Sequence, residues 1–230
     1  MTMWTREELK DKAKKVLSQN YLYIFGATCV ALYIIPIFFI FYNVVSLFYN
    51  FLFSLNFSNL NFNSLCKGVN LGLFSAGFAI NYTILIFLFY PIQVGLRRYI
   101  VNTIRGEHNI SDFWYVFKNN LFSVILVGFL SSLYIFLFSL LLFIPGLIKS
   151  YEYRMIPYIV GENPEMSFKE AASLSKRMTD GQKMDIFILD ISFLGWSFLS
   201  ALCAPVGVFF VTPYINVTEA ELYLRLKENI

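Results

Sequence analysis

The residues of this chain that could do chemistry are few, and their spacing excludes most of it. His108 is the only histidine, so a His-based zinc site, a His pair or an HExxH helix has no ligand set to draw on. Its setting, 105-RGEHNIS-111, reads as a solvated loop. One Ser-x-x-Lys spacing occurs, 173-SLSK-176, without the companion motifs of serine acyl-enzymes. There is no GxSxG, no P-loop and no GxGxxG. Cys29, Cys66 and Cys203 are scattered and give neither a disulfide framework nor zinc spacing. The sequence predicts a protein that is not an enzyme, with no catalytic residues, no metal, no cofactor and no nucleic-acid partner.

What remains is a set of polar residues embedded in apolar sequence. Val16–Cys66, Gly68–Leu96, Asn119–Ile148 and Ile191–Thr218 contain no Asp, Glu, Lys, Arg or His. Each exceeds the roughly 20 residues that a membrane span needs. The chain is 57% hydrophobic and 14% charged, with a mean hydropathy of +0.61, whereas soluble domains carry about 25% charged residues. A transmembrane barrel would instead show alternating segments of about 10 residues. The expectation is an all-α, polytopic helical membrane protein whose first partner is the lipid bilayer. The first 20 residues are highly charged, and the apolar stretch after them is too long for a signal peptide's core.

Lys and Arg concentrate in cytoplasmic loops and so count the crossings. They cluster in residues 1–20, 97–118 and 163–185 and at the C-terminus, whereas the Asn-rich loop 54–70 carries Lys67 alone and reads as external. The stretch Asn119–Glu162 then starts and ends inside, and its Pro145-Gly146 reads as the outer turn of a hairpin. Met184–Tyr223 reads as another, turning at Ala204-Pro205-Val206-Gly207. Six transmembrane helices follow, as three hairpins with both termini cytoplasmic, in one integral membrane domain over 1–230. A cytoplasmic amphipathic helix at 1–20 leads into the first hairpin (21–107). A second helix plus hairpin covers 108–162 and a third covers 163–230. The alternative has four spans, with 145–162 lying along the interface.

Each hairpin is preceded by a helix-start signal. Thr5 with Glu8, and Ser167 with Glu170, form capping boxes, and Ser111 opens a weaker one. Leu9, Ala13, Val16 and Leu17 share a face beside Lys14 and Lys15. Phe168, Ala171, Ala172 and Ser175 share another near Lys176 and Arg177. Such basic amphipathic helices lie in the headgroup layer, which makes Lys14, Lys15, Lys176 and Arg177 candidate contacts for anionic lipid. Packing of the same faces on the ends of the spans is the equal alternative. Each returning helix carries a proline near its inner half: Pro91, Pro157 and Pro213.

An ionisable residue inside a span is a candidate functional site, because a central charge costs at least about 2.5 kcal/mol. Arg154 lies about 12 Å from the inner end of its helix and Asp190 about 10 Å from that of the next, at about 1.5 Å per residue. They form the candidate intramembrane charge pair. Glu152 is the rival for Arg154. In the competing arrangement Asp190 snorkels and Arg154 bonds carbonyls freed by Pro157. Lys149 is expected to snorkel outward. Asn81 and Gln93 are the other interior polar candidates. Small residues such as Gly72, Ala76, Ser131 and Gly195 are candidates for close helix contact.

The stretches Trp4-Thr5-Arg6-Glu7-Glu8-Leu9-Lys10, 144-IPGLIKSYEYRMIPYIVGENP-164, Ser175-Lys176-Arg177-Met178, 192-SFLGW-196 and 213-PYINVTEAELY-223 together resemble the bacterial integral-membrane family called domain of unknown function 975. The family's Met-x-Gly-x-Lys stretch appears in altered form as Met178-Thr179-Asp180-Gly181-Gln182-Lys183. The layout is more distantly similar to the membrane domain attached to some glycerophosphodiester phosphodiesterases. The resemblance implies a multi-pass protein of the bacterial cytoplasmic membrane and transfers no catalytic residue. Two function classes stay open. One is a non-catalytic scaffold, or a lipid- or partner-binding module of the envelope, with homo-oligomer and membrane partner both undetermined. The other is a small transporter or export channel with a polar path among kinked helices, marked by a continuous row through Asn81, Gln93, Glu152, Arg154 and Asp190.

Overall fold

A computed structural model gives the structure of the chain, described for residues 4–56, 87–202 and 206–230. Asn81, Gly72, Ala76, loop positions from 57 onward and the tip residues 204–205 lie outside the described residues. The described residues form helices joined by turns and short connections and contain no strand. The helices are α1 (Arg6–Asn56), α2 (87–104), α3 (Ser111–Lys118), α4 (Leu121–Leu141), α5 (Phe143–Glu152), α6 (Ile156–Glu162), α7 (Phe168–Thr179), α8 (Lys183–Leu202) and α9 (Val206–Lys227). They fall into two compact units, Val30–Phe89 and the remainder, Met1–Cys29 with Tyr90–Ile230. In the smaller unit, α1 exposes Val44, Val45, Leu47 and Phe48. All that follows concerns the larger.

The start of α1 is a separate amphipathic segment, because Asn20 breaks the helical backbone at φ −126°, ψ 22°. Thr5 Oγ1 accepts the Glu8 backbone N–H at 3.2 Å, which satisfies one of the orphan donors of a helix start. Leu9 and Ala13 are fully buried. The Lys10 ammonium lies 4.6 Å from the Phe193 ring centre, and Arg225 reaches Glu8 at 2.6 Å. This apolar face therefore packs on α8 and α9. α7 behaves alike. Its full capping box joins Ser167 and Glu170, and Ala171, Ser175, Met178 and Thr179 are buried. Of the two placements open for these helices, packing on protein accounts for their apolar faces. Ser111 is the first residue of α3, whose N-cap is Ile110 without a side-chain cap.

α4 is apolar on every side. Among the described residues it alone is long and apolar enough to cross a membrane, and only 22% of its most apolar window is buried. The core helix of a soluble protein is apolar all round only where it is buried. Here Phe122, Phe129, Phe136 and Leu140 are exposed, which supports association with a membrane.

The chain reverses between α4 and α5 at Leu142, which is extended at φ −159°, ψ 143°. This corrects the expected turn at Pro145-Gly146. Pro145 sits in the first turn of α5, where its missing N–H has no helical acceptor to lose. Gly146 serves a close approach instead, since a Cβ there would lie 2.1 Å from Ser139 Oγ. The α8–α9 hairpin repeats the device: a Cβ on Gly207 would lie 2.5 Å from Ser200 Cα. Gly195, expected at a helix contact, has nothing within 4 Å of its would-be Cβ.

Candidate functional site

The returning leg of the α4–α5 hairpin is broken, and the break organises the polar interior. Pro157 has no N–H for the Tyr153 carbonyl, which instead accepts from Ile156 N–H at 3.1 Å. That takes Ile156 away from Glu152, whose carbonyl would otherwise be orphaned. Ser175 of α7 fills the gap. Its hydroxyl donates to the Glu152 carbonyl at 2.6 Å and accepts from the Met155 N–H at 3.3 Å. Ser175 is fully buried, so one side chain satisfies both freed backbone groups.

The turn between α5 and α6 holds Arg154. Its guanidinium donates from Nη1 to Asp190 Oδ2 at 2.5 Å and from Nη2 to Asp190 Oδ1 at 2.7 Å. Nη2 also donates to Glu219 Oε1 at 2.6 Å. The fork thus engages Asp190 bidentately, the geometry that suits a carboxylate best, while reaching a second carboxylate on α9. Tyr151 donates to Asp190 at 3.0 Å and Tyr158 to Glu219 at 3.4 Å. Asp190 and Glu219 lie at similar depth, about 10 and 12 Å from the Lys183 and Lys227 ends of their antiparallel helices.

Glu152 does not compete for Arg154. Its carboxylate, 7% exposed, accepts from Lys149 at 2.6 Å and from Lys183 at 2.7 Å. Lys149 therefore turns inward to a partner rather than snorkelling away. At the end of α6, Glu162 gathers Arg105 at 2.7 Å, Tyr223 at 2.6 Å and Lys227. Arg98 donates to the Gly161 and Glu162 carbonyls at 2.7 and 3.2 Å, a cation placed on the negative end of a helix.

Arg154 and Asp190 are thus brought together, and Glu152 belongs to a neighbouring cluster. Gln93 joins neither: its Nε2 is buried without a hydrogen-bond partner among the described residues. Lys14, Lys15, Lys176 and Arg177 are exposed, with Lys14 paired to Asp11 at 3.2 Å. Sequence reasoning missed Glu219, Lys183, Tyr151 and Tyr158. The signal for Glu219 was present. The charge-free run stops at Thr218, yet the helix carrying it continues to Lys227. Among the described residues, no group of three His, Cys, Asp or Glu is disposed to hold a metal ion. Chemically the arrangement is a clamp: every charge within it meets an opposite charge.

Residues 132–230 match the model of a family described as protein of unknown function, DUF975. The matched region holds the whole α5–α6 break, α7, α8 and α9, while the Trp4–Lys10 stretch lies before it. No curated protein and no solved structure matches, and nothing bears on the more distant likeness to the membrane domain of glycerophosphodiester phosphodiesterases.

Proposed function

We propose, from the match of residues 132–230 to the family of unknown function DUF975, that this chain is a member of that family and a non-catalytic, lipid- or partner-binding scaffold of the bacterial cytoplasmic membrane. In this reading it crosses six times, as three hairpins, with both termini cytoplasmic. The observation that carries it is the mutual saturation of the interior charges beside the exposed apolar surface of α4. Arg154 is neutralised by Asp190 and Glu219, and Glu152 by Lys149 and Lys183. A buried charge that is paired and hydrogen-bonded is tolerated, and one already engaged on both sides is poorly suited to pass an ion along. The transporter reading needs a continuous polar row, and Glu152 and Arg154 belong to separate closed clusters.

Two measurements test this. A single cysteine replacing Ser58, in a background without Cys29, Cys66 and Cys203, should react with an impermeant thiol reagent in intact cells. Reaction only after permeabilisation would overturn the topology. Affinity purification in mild detergent should retain specific lipids or a membrane protein in fixed proportion. Ion or solute flux through vesicles containing the pure protein, abolished by Arg154→Gln, would replace the scaffold with the transporter.

A further inference from the structure

Between the first turns of α1 and the first half of α8 lies a cavity of about 470 Å³, lined by Trp4, Thr5, Arg6, Glu7, Lys10, Asp185, Ile188 and Ser192. Its size falls within the range of small-molecule sites, about 300–1,000 Å³. Four of its residues are charged, two of each sign, and none makes an ion pair or side-chain hydrogen bond among the described residues. Glu8, one residue away, is instead engaged by both Lys12 and Arg225. Trp4 adds an indole Nε1 that is buried without an acceptor, in a side chain 3% exposed. Burial, then the positive charges of Arg6 and Lys14, lower the Lys10 ammonium below its ordinary value. An anion held there would relieve the cost at Lys10.

Ile188, which lines the cavity, also begins an apolar strip. On α8, Ile188, Ile191, Phe198 and Leu199 are exposed, and Gly195 between them faces open space. These positions share a helical face at i, i+3, i+7, i+10 and i+11. The stripe runs about 16 Å at the helical rise, close to half of a hydrocarbon core about 30 Å thick. A mixed-charge cup opening onto an apolar strip one leaflet long has the chemistry of a lipid, and balanced charge selects among lipids.

We propose that this cavity binds the headgroup of a phospholipid carrying both a phosphodiester and a primary ammonium, the phosphodiester against Arg6 and Lys10, the ammonium against Asp185 and Glu7, and one acyl chain along the Ile188–Leu199 face. The site rests on the reading of the chain as a membrane protein and names the lipid class that such a scaffold would hold. Two cations alone would favour an anionic lipid; the two carboxylates reject excess negative charge and reward the ammonium.

The test uses the full chain in nanodiscs of equal phosphatidylethanolamine and phosphatidylglycerol, with retained lipid identified by native mass spectrometry. The wild-type protein should retain phosphatidylethanolamine about fivefold over phosphatidylglycerol, the ratio expected for one favourable charge contact. Asp185→Asn with Glu7→Gln should invert the preference. Arg6→Gln with Lys10→Gln should lower retention of both. Soluble phosphoethanolamine at millimolar concentration should fail to displace the lipid, since it lacks the chain; full displacement would make the ligand the free headgroup and overturn the lipid assignment. Equal retention of the two lipids by the wild type would overturn the proposal without reference to any variant. Alkaline carbonate extraction of the same membranes tests the membrane reading separately: release of the protein would sink that reading, and this one with it.

Discussion

Asp190 and Glu219, carboxylates on the two legs of one hairpin, are held side by side by the single guanidinium of Arg154, at 2.5 and 2.6 Å. The three side chains are 18–33% exposed, so the cation stands between two anions with little water to screen them. The consequences for the two kinds of partner differ.

Removing the cation should cost far more than removing one anion. Arg154→Gln leaves two adjacent uncompensated carboxylates, a loss of about 3–5 kcal/mol. Asp190→Asn leaves Arg154 with Glu219 and keeps an acceptor, so about 1–2 kcal/mol is expected. Thermal unfolding in detergent reads the difference, and equal losses would mean that Glu219 does not share the guanidinium. In the charge swap, Arg154→Asp with Asp190→Arg, the new Asp meets Glu219. Recovery of folded yield should therefore improve when Glu219→Gln is added.

Ser175→Ala should be unusually harmful for so small a deletion. It leaves the Glu152 carbonyl and the Met155 N–H without their bonds in a fully buried site, at about 1–3 kcal/mol for each unsatisfied group. Hydrogen exchange at Met155 and Ile156 should accelerate. Protection equal to that of the wild type would show that another group bridges the break.

Enlarging either glycine near a hairpin tip should drive the helices apart. Gly207 faces backbone atoms of Ser200, which cannot swing aside as a side chain can. Gly207→Val should cost about 1–3 kcal/mol by overpacking and lower expression. Gly195→Val, facing open space, should leave the unfolding midpoint within about 0.5 kcal/mol of the wild type. A Gly195 variant as damaged as the Gly207 one would remove the distinction.

Acid should loosen the helix starts that hold Glu8 and Glu170. Hydrogen bonds from the Ser167 hydroxyl and backbone N–H hold the Glu170 carboxyl below its ordinary value of 4.5. At Glu8 the hydrogen bond from Lys12 does the same, against an opposing effect of burial. A carboxyl depressed in the folded state contributes stability that is fully present above its unfolded value. That contribution is lost as pH falls through the lower folded one. Melting midpoints should hold steady from neutral pH down to about 5 and decline below it. Glu170→Gln keeps a capping side chain without the titration, so its decline should be shallower. Superimposable pH profiles would remove Glu170 from the acid response.

The helical character of the chain and the meeting of Arg154 with Asp190 were legible because both follow from local rules. Charge-free runs longer than a span read as helices, and a fixed rise per residue puts two charges at one level. Partner choice is not local. Glu219 enters because α9 continues past Thr218, where a count of charge-free residues stops, and Lys183 because the start of α8 passes beside the α5–α6 break. The reversal at Leu142 was misplaced for a physical reason. Pro and Gly signal turns by what they forbid, yet Pro is permitted in a first helical turn and Gly is equally useful where helices touch. Nothing in the spacing of Ser175 announces that it will serve backbone groups 20 and 23 positions upstream.

The two glycine–serine contacts carry a consequence for the order of assembly during synthesis. Gly146 meets Ser139 and Gly207 meets Ser200, each across a separation of seven residues. Contacts this local close quickly, at little loop entropy, so each hairpin can zip at its tip as soon as its second helix emerges. Arg154 must wait for Glu219, 65 positions further along the chain. Until α9 arrives, the guanidinium has only Asp190, and before α8 it has no carboxylate of this cluster at all. α9 therefore acts as a latch, delivering the second countercharge 65 residues after the cation it meets. A ribosome stalled before Glu219 should hold a nascent chain whose hairpin tip is shut and whose centre is still open.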